Sequence, residues 1–367
     1  MATSRRSFFA VAAAVGTAAV AACTDNAPSG ASGTVEEEHM GNDTPVVDSH
    51  AHIYPARYLD KLEEIGVSPD STAIARNMRA SNEPDEMSAR IEMMDTAGVD
   101  VQVLSATPQV PLVADAAGAA EATRMVNDIY RQVLEDHPGR FLAYGAVPLN
   151  HPDQALEEIR YCLDELGFVG IAINTLLDDP RSAITDDRYR PVFDELNRRG
   201  SILYVHPTGA GAHSPAISEH GLAWVNGAPV EDAIATLQLL QADYPARYPD
   251  LRFHIAHLGG DLPFLSQRIE DNYEDWDAFP HSPADTLRHM WFDAANFSGG
   301  SLRLSTEVFD PDKILAGSDY PYFQDDKYTR AITYIRDAGL PADMTQRILS
   351  GNAKSLYGSA LRGRPAR

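Results

Sequence analysis

The sequence predicts one (β/α)8 barrel, a TIM barrel of the α/β class, over residues 45–362, with a small insertion after its first strand. Three observations point there. Eight short apolar runs alternate with longer amphipathic stretches. The runs are apolar throughout rather than at every second position, as parallel strands covered on both faces require. The barrel region, about 320 residues, is long enough for one large core without a disulfide framework.

In chain order, strand 1 is read in "PVVDSH" (45–50). The polar stretch 53–87 after it is the insertion, with "DKLEEIG" (60–66) as a short helix over the barrel mouth. "SARIEMMDTAG" (88–98) is an amphipathic helix leading to strand 2, "VDVQVLSA" (99–106). A helix over 119–137 leads to strand 3, "RFLAYGAVPL" (140–149). "DQALEEIRYCLDEL" (153–166) is the next helix and "GFVGIAIN" (167–174) is strand 4. "YRPVFDELNRRG" (189–200) precedes strand 5, "SILYVHP" (201–207). A long loop, 208–227, follows, and then the helix "EDAIATLQLLQADY" (231–244). Strands 6, 7 and 8 are "LRFHIAHLG" (251–259), "MWFDAAN" (290–296) and "KILAGSD" (313–319). Nothing repeats in the manner of a solenoid.

The residues before the barrel read as an address and a tether. Arg5 and Arg6 precede an alanine-rich apolar run too short to span a bilayer comfortably, which fits a twin-arginine export signal. "VAAC" (20–23) resembles a lipobox that would end the signal at a lipidated Cys23. Residues 24–44 are polar and small, as in a flexible linker. The expected location is the outer face of the cytoplasmic membrane, held only by the N-terminal lipid, or a secreted form if Cys23 carries none. Cys162 lies in an amphipathic helix and is read as a packing residue. A net charge of −23, with four lysines in the chain, argues against a nucleic-acid partner.

The chemistry is concentrated at strand ends. In "DSHAH", His50 and His52 are two apart and project from one side of strand 1. His206 closes strand 5, His257 strand 6 and Asp319 strand 8. In a barrel these ends converge. Three imidazoles and a carboxylate suffice for one divalent cation, with a further base beside it.

Asn174 ends strand 4 and either reaches the site or caps the next turn. Asp293 on strand 7 either orients His257 or bonds a loop. Trp224 and Tyr322 either wall an aromatic pocket or pack locally. Arg76 and Arg79 in the insertion are weaker candidates. His213, His220, His281 and His289 are read as structural, as is His254, which is expected to face the helices.

"DSHAHIYP", "YVHPT", "AHLGGDLPFL" and "GSDYPYF" resemble the amidohydrolase superfamily. With "ARIEMMDTAGVDVQVLSATP", the likeness is to its decarboxylase branch, which includes the aminocarboxymuconate-semialdehyde, γ-resorcylate and 6-methylsalicylate decarboxylases. It extends over residues 45–360.

The resemblance implies that His50, His52, His206 and Asp319 hold the metal, zinc first and manganese as the alternative. It makes His257 the base for a water or a substrate proton, with Asp319 the other catalytic group. Strand 4 has no lysine, so the carboxylated lysine of binuclear members is missing and a single metal is implied. Arg268, eleven residues after His257, matches an arginine that the branch places near a substrate carboxylate; the alternative is a solvated helix residue.

The function implied is metal-dependent non-oxidative decarboxylation of a small aromatic or unsaturated carboxylic acid. Hydrolysis of a lactone, amide or ester needs the same ligands and is the alternative. A non-catalytic surface binding lipoprotein ranks third. Deamination is disfavoured, because "HPTGAGAHS" lacks the acid that deaminases carry after this histidine. Members of the branch are often dimers, which leaves a homodimer open.

Overall fold

The computed structural model describes residues 44–177, 179 and 181–362. Arg5, Arg6, Cys23 and the linker up to Asp43 lie outside them. Eight parallel strands form one sheet in sequential order. They are β1 (Val47–His52), β2 (Val101–Ser105), β3 (Phe141–Ala146), β4 (Gly170–Asn174), β5 (Ile202–His206), β6 (Arg252–Ile255), β7 (Trp291–Asp293) and β8 (Ile314–Leu315). β8 is short, and the β8–β1 seam is closed by residues beyond it. Ser49 N donates to Ala316 O at 2.8 Å, Asp319 N to His50 O at 2.9 Å and His52 N to Tyr320 O at 2.7 Å. The (β/α)8 barrel of the sequence analysis is the observed fold.

Alternation divides each strand between two cores. Leu203 and Val205, or Phe253 and Ile255, pack outward against the helices. Ile202 and Tyr204, Leu142 and Tyr144, and Val101 and Val103 point into the lumen, which the chain end plugs from below with Leu356, Tyr357 and Leu361. β1 breaks this parity. Between Asp48 and Ala51 it advances three residues while β2 advances two, which is a β-bulge. Below the bulge Val47 points inward and Asp48 outward. Above it, Ala51 packs outward and the even-numbered His50 and His52 point inward.

Asp48 therefore sits behind the site. Its carboxylate accepts from Ser318 N (2.9 Å), Ser318 Oγ (2.6 Å), Gln102 Nε2 (2.9 Å) and Tyr328 OH (3.1 Å), tying β1 to β2, the β8 loop and the helix Asp326–Arg336. Burial raises its pKa. Arg90, from the helix Pro84–Ala97, is also buried; it donates to Gln102 Oε1 and His52 O and lies over the Tyr320 ring.

The insertion holds two helices, Ala56–Glu64 and Pro69–Asn77. The expected helix over 153–166 is α-helical only over Pro152–Arg160 and ends in a π-turn, Tyr161–Glu165. Cys162 is buried there against Gly145, and burial pushes its thiol pKa up, consistent with packing rather than nucleophilic use.

The long loop after β5 folds on one carboxylate. Buried Glu231, in the helix Ala228–Gln241, accepts from Thr175 Oγ1, Thr208 N and Oγ1, Gly211 N and Ala212 N. Gly209 (φ +76°) has the Trp224 ring where a Cβ would stand, at 2.3 Å. A side chain there would displace the tryptophan.

Among the described residues no helix is long and apolar enough to cross a membrane.

Candidate metal centre

The strand ends bring together the five residues singled out in the sequence. His50, His206, His257 and Asp319 each offer a ligand atom within 4.8 Å of the others. His52 adjoins them: its Nε2 is 3.4 Å from Asp319 Oδ1, the oxygen that His50 Nε2 approaches at 3.3 Å. His257 Nε2 faces the other oxygen, Oδ2, at 3.5 Å. The distance criterion alone thus selects His257 over His52. The grouping about Asp319 separates them differently, with His50 and His52 on one oxygen and His257 on the second.

Each imidazole turns Nδ1 toward a polar group outside the centre and Nε2 inward. His50 Nδ1 meets Asp293 Oδ2 at 3.1 Å. His52 Nδ1 meets Ser105 Oγ at 3.0 Å, and His206 Nδ1 donates to Pro207 O at 2.8 Å. His257 Nδ1 meets Asp232 Oδ2 at 2.9 Å. The inner atoms are left bare: Nε2 of His50, His52 and His206, and Asp319 Oδ1, are buried without a hydrogen-bond partner. Four buried polar atoms without hydrogen bonds at one point would be costly by themselves. Outward-tied nitrogens with inward lone pairs are how proteins present histidine to a metal. The residues fit a single divalent ion.

The electrostatics agree. Burial lowers the pKa of His52 to about 4 and of His206 well below its usual value, keeping both neutral. Burial also pulls His50 down, but Asp293 and Asp319 outweigh it and bring it to about 9. Against burial, the histidines hold Asp319 well below the usual carboxylate range. A ligand imidazole must give up its Nε2 proton, so a cation here replaces protons. His257 and Asp319 both have positive φ, 53° and 55°, in the left-handed region that non-glycine residues rarely occupy.

A cavity of about 310 Å³ opens over the centre. His206, His257 and Asp319 line its floor, and Trp224, Phe297 and Tyr322 are among its walls. Trp224 and Tyr322 stack at 5.6 Å, so of the two readings the pocket wall is observed. Tyr322 OH is 3.2 Å from Tyr54 OH, which brings the insertion's first residues to the wall.

The other candidates fall in several places. Asn174 is buried beside His206 in the β4–β5 register; its Nδ2 donates to Pro108 O and its Oδ1 is bare. Asp293 takes both of its readings, bonding His257 N and Ala295 N through Oδ1 and meeting His50 through Oδ2. Arg268 is exposed on the helix Leu262–Trp276 and does not line the cavity. Arg76 pairs with Asp60 and Glu63, and Arg79 borders a separate small cavity beside Tyr320.

One expectation is corrected. His254 does not face the helices. Bulky Phe253 and Ile255 take that side, so His254 points into the lumen, where Nδ1 meets Tyr144 OH at 2.9 Å and its ring packs on Tyr204.

Three residues of consequence were not singled out from the sequence: Asp232, Glu231 and Asp48. The adjacent acids 231 and 232 looked like ordinary acidic residues early in a helix. Their burial depends on strands 5 and 6 folding against that helix.

Comparison with known proteins identifies the family. The amidohydrolase family model matches residues 47–359. The 2-amino-3-carboxymuconate-6-semialdehyde decarboxylase of Dictyostelium discoideum is 27% identical over 298 residues, 75% of this chain and 81% of that protein. A γ-resorcylate decarboxylase from a Rhizobium species is 29% identical over 255 residues, 65% and 77% of the two chains. A dihydroxybenzoic acid decarboxylase from Polaromonas, solved with bound manganese and the inhibitor 2-nitroresorcinol, superposes with a TM-score of 0.72 at 24% identity. That superposition covers 86% of this chain and 97% of the other. With its barrel, its strand-end histidines and Asp319, this chain belongs to the amidohydrolase family.

Proposed function

We propose that the protein is a metal-dependent carboxy-lyase that removes carbon dioxide, without oxidation, from a small aromatic or unsaturated carboxylic acid. The observation that carries this reading is the set of bare, inward-facing Nε2 atoms around Asp319, under a cavity with aromatic walls. Relatives whose names describe aromatic-acid and muconate-semialdehyde decarboxylation support the reaction type.

We assign His50, His52, His206 and Asp319 to the ion and His257 to proton transfer, because His257 alone approaches the second oxygen of Asp319. Zinc suits three imidazoles and a carboxylate, and manganese suits them also. When bound, the ion supplies positive charge that fixes the substrate carboxylate and steadies charge as the C–C bond breaks.

The chain's own groups do the rest. Trp224 and Tyr322 flank the substrate ring. Asn174 has a bare Oδ1 but does not line the cavity, and no substrate contact is assigned to it. His257 Nε2 delivers the proton that takes the place of carbon dioxide. Among the described residues lining the cavity there is no lysine or arginine, so a monocarboxylic acid fits better than a dicarboxylic one.

The test is incubation of metal-analysed protein with hydroxybenzoates, unsaturated acids and lactones, scoring carbon dioxide and acid release separately. Carbon dioxide from an acid is expected. Acid release from a lactone with no carbon dioxide from any acid would establish the hydrolase reading instead.

For location, we propose twin-arginine export and a lipid on Cys23, from the sequence of residues 1–23. Replacing Arg5 and Arg6 by lysine should leave precursor in the cytoplasm. Cys23→Ser should free the protein from the membrane, and a variant that stays bound would refute the lipid anchor.

A further inference from the structure

We propose that Asp232 is the positioning residue for His257: its carboxylate fixes the ring orientation and the tautomer, so that Nε2 is the nitrogen that exchanges a proton with the substrate. The inference rests on the proton-transfer reading of His257.

Asp232 is fully buried in the second turn of the helix Ala228–Gln241. Its Oδ2 is 2.9 Å from His257 Nδ1, and its Oδ1 has no partner. The carboxylate has few other ties and is directed at one ring nitrogen. His257 is gripped a second time through its backbone, where N donates to Asp293 Oδ1 at 3.1 Å. Its φ of 53° is then a conformation imposed by the surroundings.

The approach of the two elements is set independently by Gly260, at φ +68°. A Cβ there would stand 1.9 Å from Pro229 O, so the turn after β6 packs directly on the start of the Asp232 helix. Only glycine permits that contact, and the contact brings Asp232 against His257.

An imidazole that donates Nδ1–H to a buried carboxylate keeps Nε2 as its working nitrogen, and the carboxylate stabilises the imidazolium when both nitrogens are protonated. In decarboxylation the proton leaves Nε2 for the carbon that bears the carboxylate. The electron pair of the breaking C–C bond stays with that carbon, carbon dioxide departs, and Nε2 takes a proton from solvent. Asp232 transfers nothing. The centre thus has carboxylates in two roles, Asp319 among the ligand nitrogens and Asp232 behind the base.

The test uses Asp232→Asn in the zinc-loaded protein. The amide can donate to Nδ1 and so favours the opposite tautomer. Four results are expected. The kcat falls by about 10²-fold or more, KM changes little, and zinc content is unchanged. The ¹⁵N shifts of His257 move from an Nδ1–H to an Nε2–H pattern. Adding Asp232→Asn to His257→Asn should cost nothing further, because Asp232 acts through that ring.

Near-normal kcat, loss of zinc in step with activity, or full additivity in the double variant would each overturn the proposal. If Asp232→Asn folds poorly, Asp232→Ala with added formate asks the same question; rescue of the rate is expected, and failure of formate on a folded variant counts against it. Should the unaltered protein release no carbon dioxide from any acid, the reaction assignment fails. The tautomer measurement needs no turnover and still decides what Asp232 does.

Discussion

The upper and lower storeys of the barrel lumen are built from the same kinds of residue and end in opposite states. In the lower storey most polar atoms find partners: Tyr144 OH meets His254 Nδ1 at 2.9 Å and Tyr357 OH at 2.8 Å, Tyr144 stacks on Tyr204 at 5.1 Å, and of these side chains only His254 Nε2, 3.6 Å from Asp293 Oδ2, has no hydrogen bond. In the upper storey His50, His52 and His206 have bare inner nitrogens. Asp293 is the joint, taking Tyr204 OH from below and His50 Nδ1 beside it. A buried polar group that finds its partner in the protein stabilises the fold; one left deliberately bare is kept for something the chain does not supply. Exposure does not distinguish the storeys, since both are buried. The destination of each polar atom does.

The largest expected effect comes from the upper storey. His206→Asn should lose metal and activity together, because an ion ligand is gone, whereas His257→Asn should keep the metal and lose turnover by about 10²-fold or more. Metal analysis alongside rates checks both, and equal metal loss in the two would make His257 a ligand.

A middling effect is expected one level down. Tyr144→Phe removes the partner of His254 Nδ1 and of Tyr357 OH, and should cost about 1–3 kcal/mol of stability in denaturant titration, with metal content intact. Metal loss at unchanged stability would show that the storeys are not separate.

The smallest effect is at the rim. Trp224 is 40% exposed and stacks on Tyr322. Trp224→Ala should raise KM several-fold, in line with about 0.5–1.5 kcal/mol for one aromatic contact, and leave the melting temperature and metal content nearly unchanged. A large fall in kcat would mean that the ring does more than wall the cavity.

Much of this plan was legible before any coordinates. The eight strands announce themselves because a parallel strand covered on both faces has to be apolar along its length. The five site residues were legible because each terminates such a run, where neither core demands a polar side chain. His254 was misplaced although "FHIAH" carries the information: Phe253 and Ile255, the bulky pair, belong under helices, and His254 takes the other face. Asp232 and Glu231 were not legible at all. Their meaning comes from a helix after β5 meeting a turn after β6 and a loop before it, pairings that no local spacing encodes. Asp48 was hidden differently: two residues before His50, it would share the histidines' face by plain alternation, and the bulge between them puts it on the other.

That bulge has an evolutionary consequence. It uncouples the two ends of β1, so the lower half can keep its register in the sheet while the upper half holds its histidines on the opposite parity. Substitutions on either side can therefore accumulate independently. The same length of strand paired without the bulge could not do both. Uniform alternation from Val47 would turn both imidazoles out of the lumen, ending metal binding in a barrel whose remaining strands are intact. A residue lost together with the bulge would leave them facing inward, so the parity of the two halves, more than length, is the property of this segment that descent must conserve.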